Sequence, residues 1–357
     1  MPQTPLHATH ENLGATFTDF GGWEMPLKYG SELEEHRAVR TDVGIFDLSH
    51  MGEITVQGLD AAAFLDYALI SNFTALKDGK AKYSMIVAED GGIIDDLITY
   101  RFSENHFMVV PNAANTNAVW AAFEARKGDF EVQLTNNSEA FALVAVQGPK
   151  SLDVLKPLLS DDASALSYYS SAWMTLDGVE TIVARTGYTG EDGFELFCTR
   201  EDAQKVWDAV IGSGTPCGLA ARDSLRLEAS MPLYGHELTA EITPVEAGMG
   251  RAFAKKEADF VGKDALTGRE PSVVIAGLTS EQRRAAREGA EVFLASSDET
   301  IGVVTSGQPS PTLGHPVALA HLDPQHAELG TDVEIDIRGR RYPFTIAPTP
   351  FYSREDA

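Results

Sequence analysis

The sequence predicts an α+β protein whose C-terminal part is a small all-β domain. Residues 1–265 mix segments of helical apolar spacing with short runs in which every second residue is apolar, which is typical of α+β folds. Beyond a loop-like stretch at 264–271, nearly all apolar runs are short and strand-like. Five or six short strands separated by Gly, Pro and Asp are typical of a barrel or a sandwich. We therefore expect two regions, 1–265 and 272–357, with strands in the second at 273–278, 301–305, 317–322, 333–337 and 342–346.

Composition disfavours two classes of partner. The 357 residues contain 28 Lys+Arg against 53 Asp+Glu, a net charge of -25, which repels nucleic-acid backbones and anionic lipid surfaces. The two cysteines, Cys198 and Cys217, belong to no Cys-x-x-Cys or His/Cys cluster, so no metal site is expected. No signal-peptide pattern and no run of ~18 apolar residues is present. A cytoplasmic protein that binds neither nucleic acid nor membrane is expected.

Several elements of the first region have clear local signals. Ser31, followed by Glu34, predicts the N-terminus of a helix through a capping box. Two strands are expected within 44–58 and one at 141–147. Further helices are expected at 61–69, 116–125, from Ser151, and at 218–230.

The segment 185–196 contains three glycines, several acids and a tyrosine between two strand-like runs. The runs at 181–185 and 194–198 flank residues 190–193 (Gly-Glu-Asp-Gly), which predicts a β-hairpin. The two-residue period of a strand places Glu195 on one face and Phe194 and Leu196 on the other. The hairpin therefore holds a carboxylate rigidly enough for a ligand, although a solvated surface hairpin is the alternative.

A second predicted hairpin has two adjacent acids. Strand-like runs at 80–88 and 93–100 flank an Asp-Gly-Gly turn, and Asp95 and Asp96 interrupt the apolar second run. Neighbouring side chains of a strand point to opposite faces, so at most one of these carboxylates is expected to face a ligand. The alternative is that both are solvated acids at a strand end.

The helix at 218–230 has two arginines four residues apart. Arg222 and Arg226 share one helical face, and two guanidinium groups on such a stripe can clamp a carboxylate. The alternative is local pairing with Asp223 or Glu228, as is common for surface charges.

An ordered series of segments resembles the T-protein family of the glycine-cleavage system, the tetrahydrofolate-dependent aminomethyltransferases. The resemblance covers essentially the whole chain and implies a three-domain cloverleaf with a central folate channel and a C-terminal all-β barrel-like domain. The matching segments are 4–7 (Thr-Pro-Leu-His), 20–26 (Phe-Gly-Gly-Trp-Glu-Met-Pro), 46–53 (Phe-Asp-Leu-Ser-His-Met-Gly-Glu), 91–97 (Gly-Gly-Ile-Ile-Asp-Asp-Leu), 147–149 (Gln-Gly-Pro), 185–196, 218–228, 305–313 and 350–352 (Pro-Phe-Tyr).

The resemblance also implies roles for single residues. Asp96 matches the family's essential carboxylate near N10 of the folate, and Glu195 and Arg222 match its folate-contacting acid and arginine. A rigid carboxylate can accept the pterin N3–H and 2-amino donors in a fork, and tyrosines offer flat apolar faces. The residues that match the channel around the pterin and its linker are Tyr83, Asn112 and Tyr188.

What the resemblance implies about function is transfer of the aminomethyl group from the lipoyl arm of H-protein to tetrahydrofolate. The products are 5,10-methylenetetrahydrofolate, ammonia and dihydrolipoyl H-protein. Two alternatives remain open: a folate-dependent demethylase of a small methyl donor, and a folate-binding module without transferase activity. The absence of a flavin-binding Gly-x-Gly-x-x-Gly unit disfavours the first, and the presence of Asp96, Glu195 and Arg222 disfavours the second.

Overall fold

The computed structural model describes residues 1–354, and this part of the chain contains both helices and strands. The helices are α1 (His7–Asn12), α2 (Glu32–Thr41), α3 (Ala61–Ala68), α4 (Thr116–Arg126), α5 (Ser151–Leu155), α6 (Ala203–Ile211), α7 (Leu219–Glu228) and α8 (Lys263–Leu266). The strands are β1 (Thr16–Phe20), β2 (Trp23–Lys28), β3 (Gly44–Asp47), β4 (Ile54–Gln57), β5 (Ala81–Val87), β6 (Ile93–Ser103), β7 (His106–Pro111), β8 (Gln133–Asn136), β9 (Phe141–Gln147), β10 (Ser171–Leu176), β11 (Val179–Ala184), β12 (Gly193–Thr199), β13 (Thr215–Pro216), β14 (Val274–Thr279), β15 (Glu291–Leu294), β16 (Thr300–Pro309), β17 (Pro316–Leu322), β18 (Asp332–Asp336) and β19 (Arg341–Ala347).

The first compact unit comprises Met1–Ile86, Ile94–Arg222 and Lys256–Val261. It is built on a six-stranded sheet in the order β10-β11-β12-β9-β3-β13 and a five-stranded sheet in the order β5-β6-β7-β4-β8. A separate hairpin pairs β1 with β2. The α+β class predicted from the sequence is confirmed.

Each sheet buries one face under helices. On the six-stranded sheet, α5 and α6 cover a core that includes Trp207 and Phe194. On the five-stranded sheet, α3 and α4 contribute Phe64 and Phe123, whose ring centroids lie 5.4 Å apart, edge to face. The other faces of the two sheets meet each other, and there the Tyr100 ring of β6 packs against Phe197 of β12 with the centroids 5.6 Å apart.

The second unit comprises Val87–Ile93, Asp223–Lys255 and Gly262–Ala357, of which residues up to 354 are described. Its strands form a closed barrel in the order β14-β17-β16-β15-β18-β19 around a core of buried, mostly aliphatic side chains. Of the two predicted architectures, the barrel is therefore the one observed. The strand that the sequence did not indicate is β15, because four residues are too few to show a period of two.

A buried ion pair joins α7 to this barrel within the second unit. Arg226 contacts Glu237 at 2.9 Å and Asp223 at 2.8 Å, and its guanidinium also donates to Ser306 on β16. The predicted local pairing of Arg226 with Asp223 is confirmed, so this arginine has a structural role. Glu228, the other acid considered, accepts hydrogen bonds from Ser310 and Thr312.

The local signals in the first region were largely correct. Ser31 caps α2, with its Oγ accepting from the backbone N–H of Glu34 at 3.4 Å. The helices expected at 61–69, 116–125 and 218–230 are α3, α4 and α7. No helix among residues 1–354 is both long enough and apolar enough to span a bilayer.

Candidate active site

Three of the predicted site residues meet where the pairing of β6 with β7 ends. The last paired residues are Leu97 and Pro111, so the register places Asp96 opposite Asn112. The Asn112 Nδ2 donates to Asp96 Oδ1 at 2.9 Å, and the Tyr83 hydroxyl on β5 donates to Asp96 Oδ2 at 3.0 Å. The carboxylate of Asp96 is thus held by two side chains from neighbouring strands.

Asp95 is held by the same loop. Its Oδ2 accepts from the backbone N–H of Asn112 at 2.8 Å, and its Oδ1 accepts from Nδ2 of Asn112 at 2.8 Å and of Asn115 at 2.7 Å. The chain leaves β7 at Pro111 and turns through a single 3₁₀ turn, so Asn112 reaches both carboxylates. Asp95 is fully buried, whereas Asp96 remains partly exposed.

Burial dominates the electrostatics of this pair. It raises the pKa of both Asp95 and Asp96, and the charge of Asp96 raises the pKa of Asp95 further, while the hydrogen bonds from Tyr83, Asn112 and Asn115 oppose the shift. Burial and the charge of Asp96 also raise the pKa of Tyr83, so its hydroxyl stays protonated at neutral pH. The two carboxyls therefore take up a proton at a higher pH than isolated aspartates do.

Glu195 lies on β12 as the sequence predicted, with Phe194 and Leu196 on the opposite face in the core. It is 8% exposed, and its Oε2 accepts from the hydroxyls of Thr186 and, at 3.2 Å, Tyr100. No hydrogen bond from residues 1–354 reaches Oε1. This oxygen is the open acceptor of an otherwise fixed carboxylate.

The β11–β12 hairpin is confirmed, although its connection is wider than the predicted turn at 190–193. Ala184 pairs with Glu195, and residues 185–192 form the loop. Arg185 closes the base of this loop through two contacts with Asp192, at 2.6 and 2.9 Å. The wider loop leaves Tyr188 to face Arg222.

Arg222 and Tyr188 form the second group of predicted residues. The Arg222 guanidinium lies 4.8 Å from the centre of the Tyr188 ring. Burial lowers the pKa of Arg222, and the charges of Glu195 and Tyr188 oppose that shift. Within the described chain the Arg222 side chain donates no hydrogen bond. Its fork of N–H donors is therefore available to a ligand.

Tyr100 connects the two groups. It is on β6, four residues beyond Asp96 and on the same face, and its hydroxyl donates to Glu195 of the facing sheet. At the strand rise of about 3.3 Å per residue, Asp96 and Tyr100 are about 13 Å apart along β6. The two groups thus lie along the same region between the facing sheets of the first unit.

Sequence reasoning missed two residues in this region. The charges of both Glu195 and Asp96 act on Tyr169, whose pKa burial raises, so this phenol lies near both acids. Only the Tyr-Tyr pair at 168–169 could have drawn attention to it. The second missed residue is His50, which lies within the segment 46–53 that matches the family.

His50 is 3% exposed, and its Nδ1 is enclosed without a hydrogen-bond partner among residues 1–354. Burial and the charge of Arg222 lower the pKa of His50 to about 4, against the charge of Asp47. The Phe20 ring packs edge-on against the imidazole, with the centroids 5.6 Å apart. His50 is therefore a neutral imidazole near Arg222 at neutral pH.

The site offers two carboxylate positions, a guanidinium and several aromatic faces. Such a set suits a flat, elongated ligand that has N–H donors at one end and amines farther along. No group of three or more His, Cys, Asp or Glu side chains in the described residues is arranged to hold a metal ion.

Comparisons with known proteins cover nearly the whole chain. The GCVT N-terminal domain model matches residues 6–257, and the glycine cleavage T-protein C-terminal barrel domain model matches residues 274–353. Aminomethyltransferases of Corynebacterium aurimucosum and Streptomyces coelicolor are 60% and 51% identical to it, each over 99% of this chain and 98% of the relative. The crystal structure of glycine cleavage system aminomethyltransferase T from Bartonella henselae superimposes with a TM-score of 0.93 at 36% identity, covering 99% of this chain and 98% of that one.

Proposed function

Because the chain belongs to the glycine cleavage T-protein family and is an aminomethyltransferase, we propose that it transfers the aminomethyl-derived carbon from the lipoyl arm of H-protein to tetrahydrofolate. In this reaction the carbon–sulfur bond and the bond to the amine nitrogen break. Bonds from the same carbon to N5 and N10 of the folate form. The two folate N–H protons balance the ammonia and the lipoyl thiol that are released, so no oxidant or reductant is needed.

The geometry of Glu195 supports tetrahydrofolate as the acceptor. Its Oε1 is open and its Oε2 is fixed by Thr186 and Tyr100, so the carboxylate can receive pterin N–H donors without rearranging. We assign the pterin to this end of the site. The stacked Tyr188 and Arg222 provide a flat face for a conjugated ring beside it.

Asp96 is assigned to the reacting amines. As a carboxylate it accepts a hydrogen bond from N10–H, and its charge stabilises a cationic iminium carbon as ammonia departs. Tyr83 and Asn112 keep its two oxygens in place through these steps. Its raised pKa makes it a better proton acceptor than an ordinary aspartate when N10 closes the methylene bridge.

The observation that supports this proposal most is the arrangement of Asp96 and Glu195. In a chain of this family, the two acids are on facing sheets and are connected through Tyr100. A single carboxylate with a purely structural role would not account for two acids on facing sheets. The domain limits at 265 and 272 and a cytoplasmic location remain predictions.

An assay with three donors separates the proposal from its alternatives. Purified protein and tetrahydrofolate are incubated with aminomethyl-loaded H-protein, N-methylglycine or a methylsulfonium compound. We expect ammonia and methylenetetrahydrofolate only with loaded H-protein. Methylated folate from a small donor would identify a demethylase. Calorimetric binding of tetrahydrofolate without turnover of any donor would identify a binding module.

A further inference from the structure

Asp95 is the most completely satisfied side chain near the reacting end of the site. Three N–H groups, two from Asn112 and one from Asn115, donate to its two oxygens at 2.7–2.8 Å. Its exposure is 0%, so it contacts no substrate in this arrangement. Any effect of Asp95 on the reaction must act through a neighbour.

The donors around the two acids distinguish their charge states. Amide N–H groups only donate, so the Asp95 oxygens that accept from them fit an ionised carboxylate. Asp96 differs because one of its two partners is the Tyr83 hydroxyl, which can accept as well as donate. The surroundings of Asp96 therefore fit either charge state, whereas those of Asp95 fit the carboxylate.

The same hydrogen bonds decide which way the Asn112 amide faces. Its Nδ2 donates to oxygens of Asp95 and Asp96, including the Asp96 backbone carbonyl at 3.0 Å. A flipped amide would bring Oδ1 against these oxygens, so the network excludes that orientation. The Asn112 Oδ1 accepts no hydrogen bond from the described residues, and Asn112 is partly exposed. This oxygen is left for a donor from outside the protein.

We propose that Asp95 is a positioning residue whose carboxylate fixes the Asn112 amide with Nδ2 on Asp96 and Oδ1 toward the amine of the substrate. The inference rests on the proposed aminomethyl transfer. Asn112 then presents an acceptor to an N–H of the reacting amines, and Asp96 is the member of the pair that exchanges protons. Tyr83 and Tyr169 are the other titratable side chains that interact with Asp96.

The test is Asp95→Asn in the full chain, with Glu89→Gln as the control. Glu89 is an exposed acid in the connection between β5 and β6. We expect kcat to fall about 10-fold to 10²-fold, the scale of a displaced reacting group, with the Kd for tetrahydrofolate changed less than about threefold. The acid limb of the kcat/KM profile should move down by about one pH unit, because the charge next to Asp96 is gone. An unmoved limb would mean that Asp95 carries no charge beside Asp96, and the double-mutant cycle with Asn112→Ala separates positioning from a merely structural role.

A double-mutant cycle tests whether Asp95 acts through Asn112. In an Asn112→Ala background, Asp95→Asn should lower kcat by less than about twofold further, since the group it positions is already absent. Equal losses in both backgrounds would overturn the proposal.

A second variant, Asn115→Ala, replaces Asp95→Asn in the test if that protein does not fold. It removes one hydrogen-bond donor to Asp95 at a partly exposed position. Asn115→Ala should lower kcat about two- to fivefold when Asn112 is present, and it should leave kcat unchanged in the Asn112→Ala background.

A substrate-free measurement separates this inference from the proposed function. Aspartate labelled at the carboxyl carbon reports the titration of Asp96 by NMR in the wild type and in Asp95→Asn. A lower pKa for Asp96 in the variant supports the proposal even in the absence of turnover, and an unchanged pKa overturns it. Failure of the proposed function would appear instead in the wild type, as missing tetrahydrofolate binding or missing ammonia release.

Discussion

The guanidinium of Arg222 stacks on the ring of Tyr188, 4.8 Å from its centre, and donates no hydrogen bond to the rest of the described chain. The charge of Glu195 acts on the same guanidinium. A planar cation that stacks on a ring and keeps its N–H donors free of protein acceptors is suited to bind a conjugated ligand.

Arg222→Lys keeps the charge and removes the flat face. A cation–π contact contributes about 0.5–2 kcal/mol, so we expect the Kd for tetrahydrofolate to rise about tenfold, with little change in Tm. Isothermal titration calorimetry measures the change. Arg37→Lys, on the exposed side of α2, is the matched control. Equal affinity in the two variants would remove Arg222 from the folate site.

Glu195→Gln preserves the shape and removes the charge. Gln keeps one carbonyl oxygen as an acceptor for the Thr186 and Tyr100 hydroxyls, so the fold should be nearly as stable. A hydrogen bond to a charged group contributes about 1.5–3 kcal/mol, so the Kd for tetrahydrofolate should rise about 10-fold to 10²-fold. Glu180→Gln, exposed on the neighbouring strand β11, should bind like the wild type. Unaltered affinity in Glu195→Gln would show that the pterin lies elsewhere.

Glu53 gives a prediction on stability that is independent of function. It is 1% exposed, its Oε2 is enclosed without a partner among the described residues, and burial raises its pKa well above the ordinary value. Ionising it in the folded state therefore carries a penalty. That penalty is absent below the unfolded pKa of about 4.3 and grows as pH rises toward the folded value, by about 1.4 kcal/mol per unit of pKa difference.

Glu53→Gln should consequently gain stability relative to the wild type as pH rises from 4 to 8. Chemical denaturation at several pH values measures this difference. Glu139→Gln, an exposed acid beyond β8, should show a constant difference. A pH-independent difference for Glu53→Gln would mean that Glu53 is hydrated or paired in solution.

Local patterns predicted much of this fold and part of the site. The face of Glu195 followed from a two-residue period, and the capping of α2 followed from Ser31. The convergence of Asp95 and Asp96 on Asn112 could not be predicted, because it depends on the residue at which the β6–β7 pairing stops. Strand alternation alone points Asp95 to the face opposite Asp96. The turn after Pro111 nevertheless brings Asn112 into contact with both side chains.

Contacts between the two sheets were also beyond sequence reasoning. Tyr100 and Tyr169 meet the acids only because the sheets face each other, and neither residue belongs to a local pattern. The enclosure of His50 likewise depends on Phe20, thirty positions away in the chain. The family resemblance named Asp96, Glu195 and Arg222 as candidates, together with Tyr83, Asn112 and Tyr188, but the contacts among these residues come from the tertiary structure.

The central claim is that Asp96 performs the chemistry of aminomethyl transfer. Asp96→Asn keeps the shape of the side chain and loses the charge and the proton acceptor, while Tyr83 and Asn112 remain to hold an amide. The variant should therefore fold and bind tetrahydrofolate, as calorimetry can establish. Glu89→Gln is again the control for the loss of one acid.

The most direct measurement is ammonia release from aminomethyl-loaded H-protein in the presence of saturating tetrahydrofolate. We expect Asp96→Asn to release ammonia roughly 10²–10⁴-fold more slowly than the wild type, the usual contribution of a positioned acid or base, and Glu89→Gln to match the wild type. An Asp96→Asn protein that binds tetrahydrofolate and releases ammonia at a near-normal rate would contradict the account.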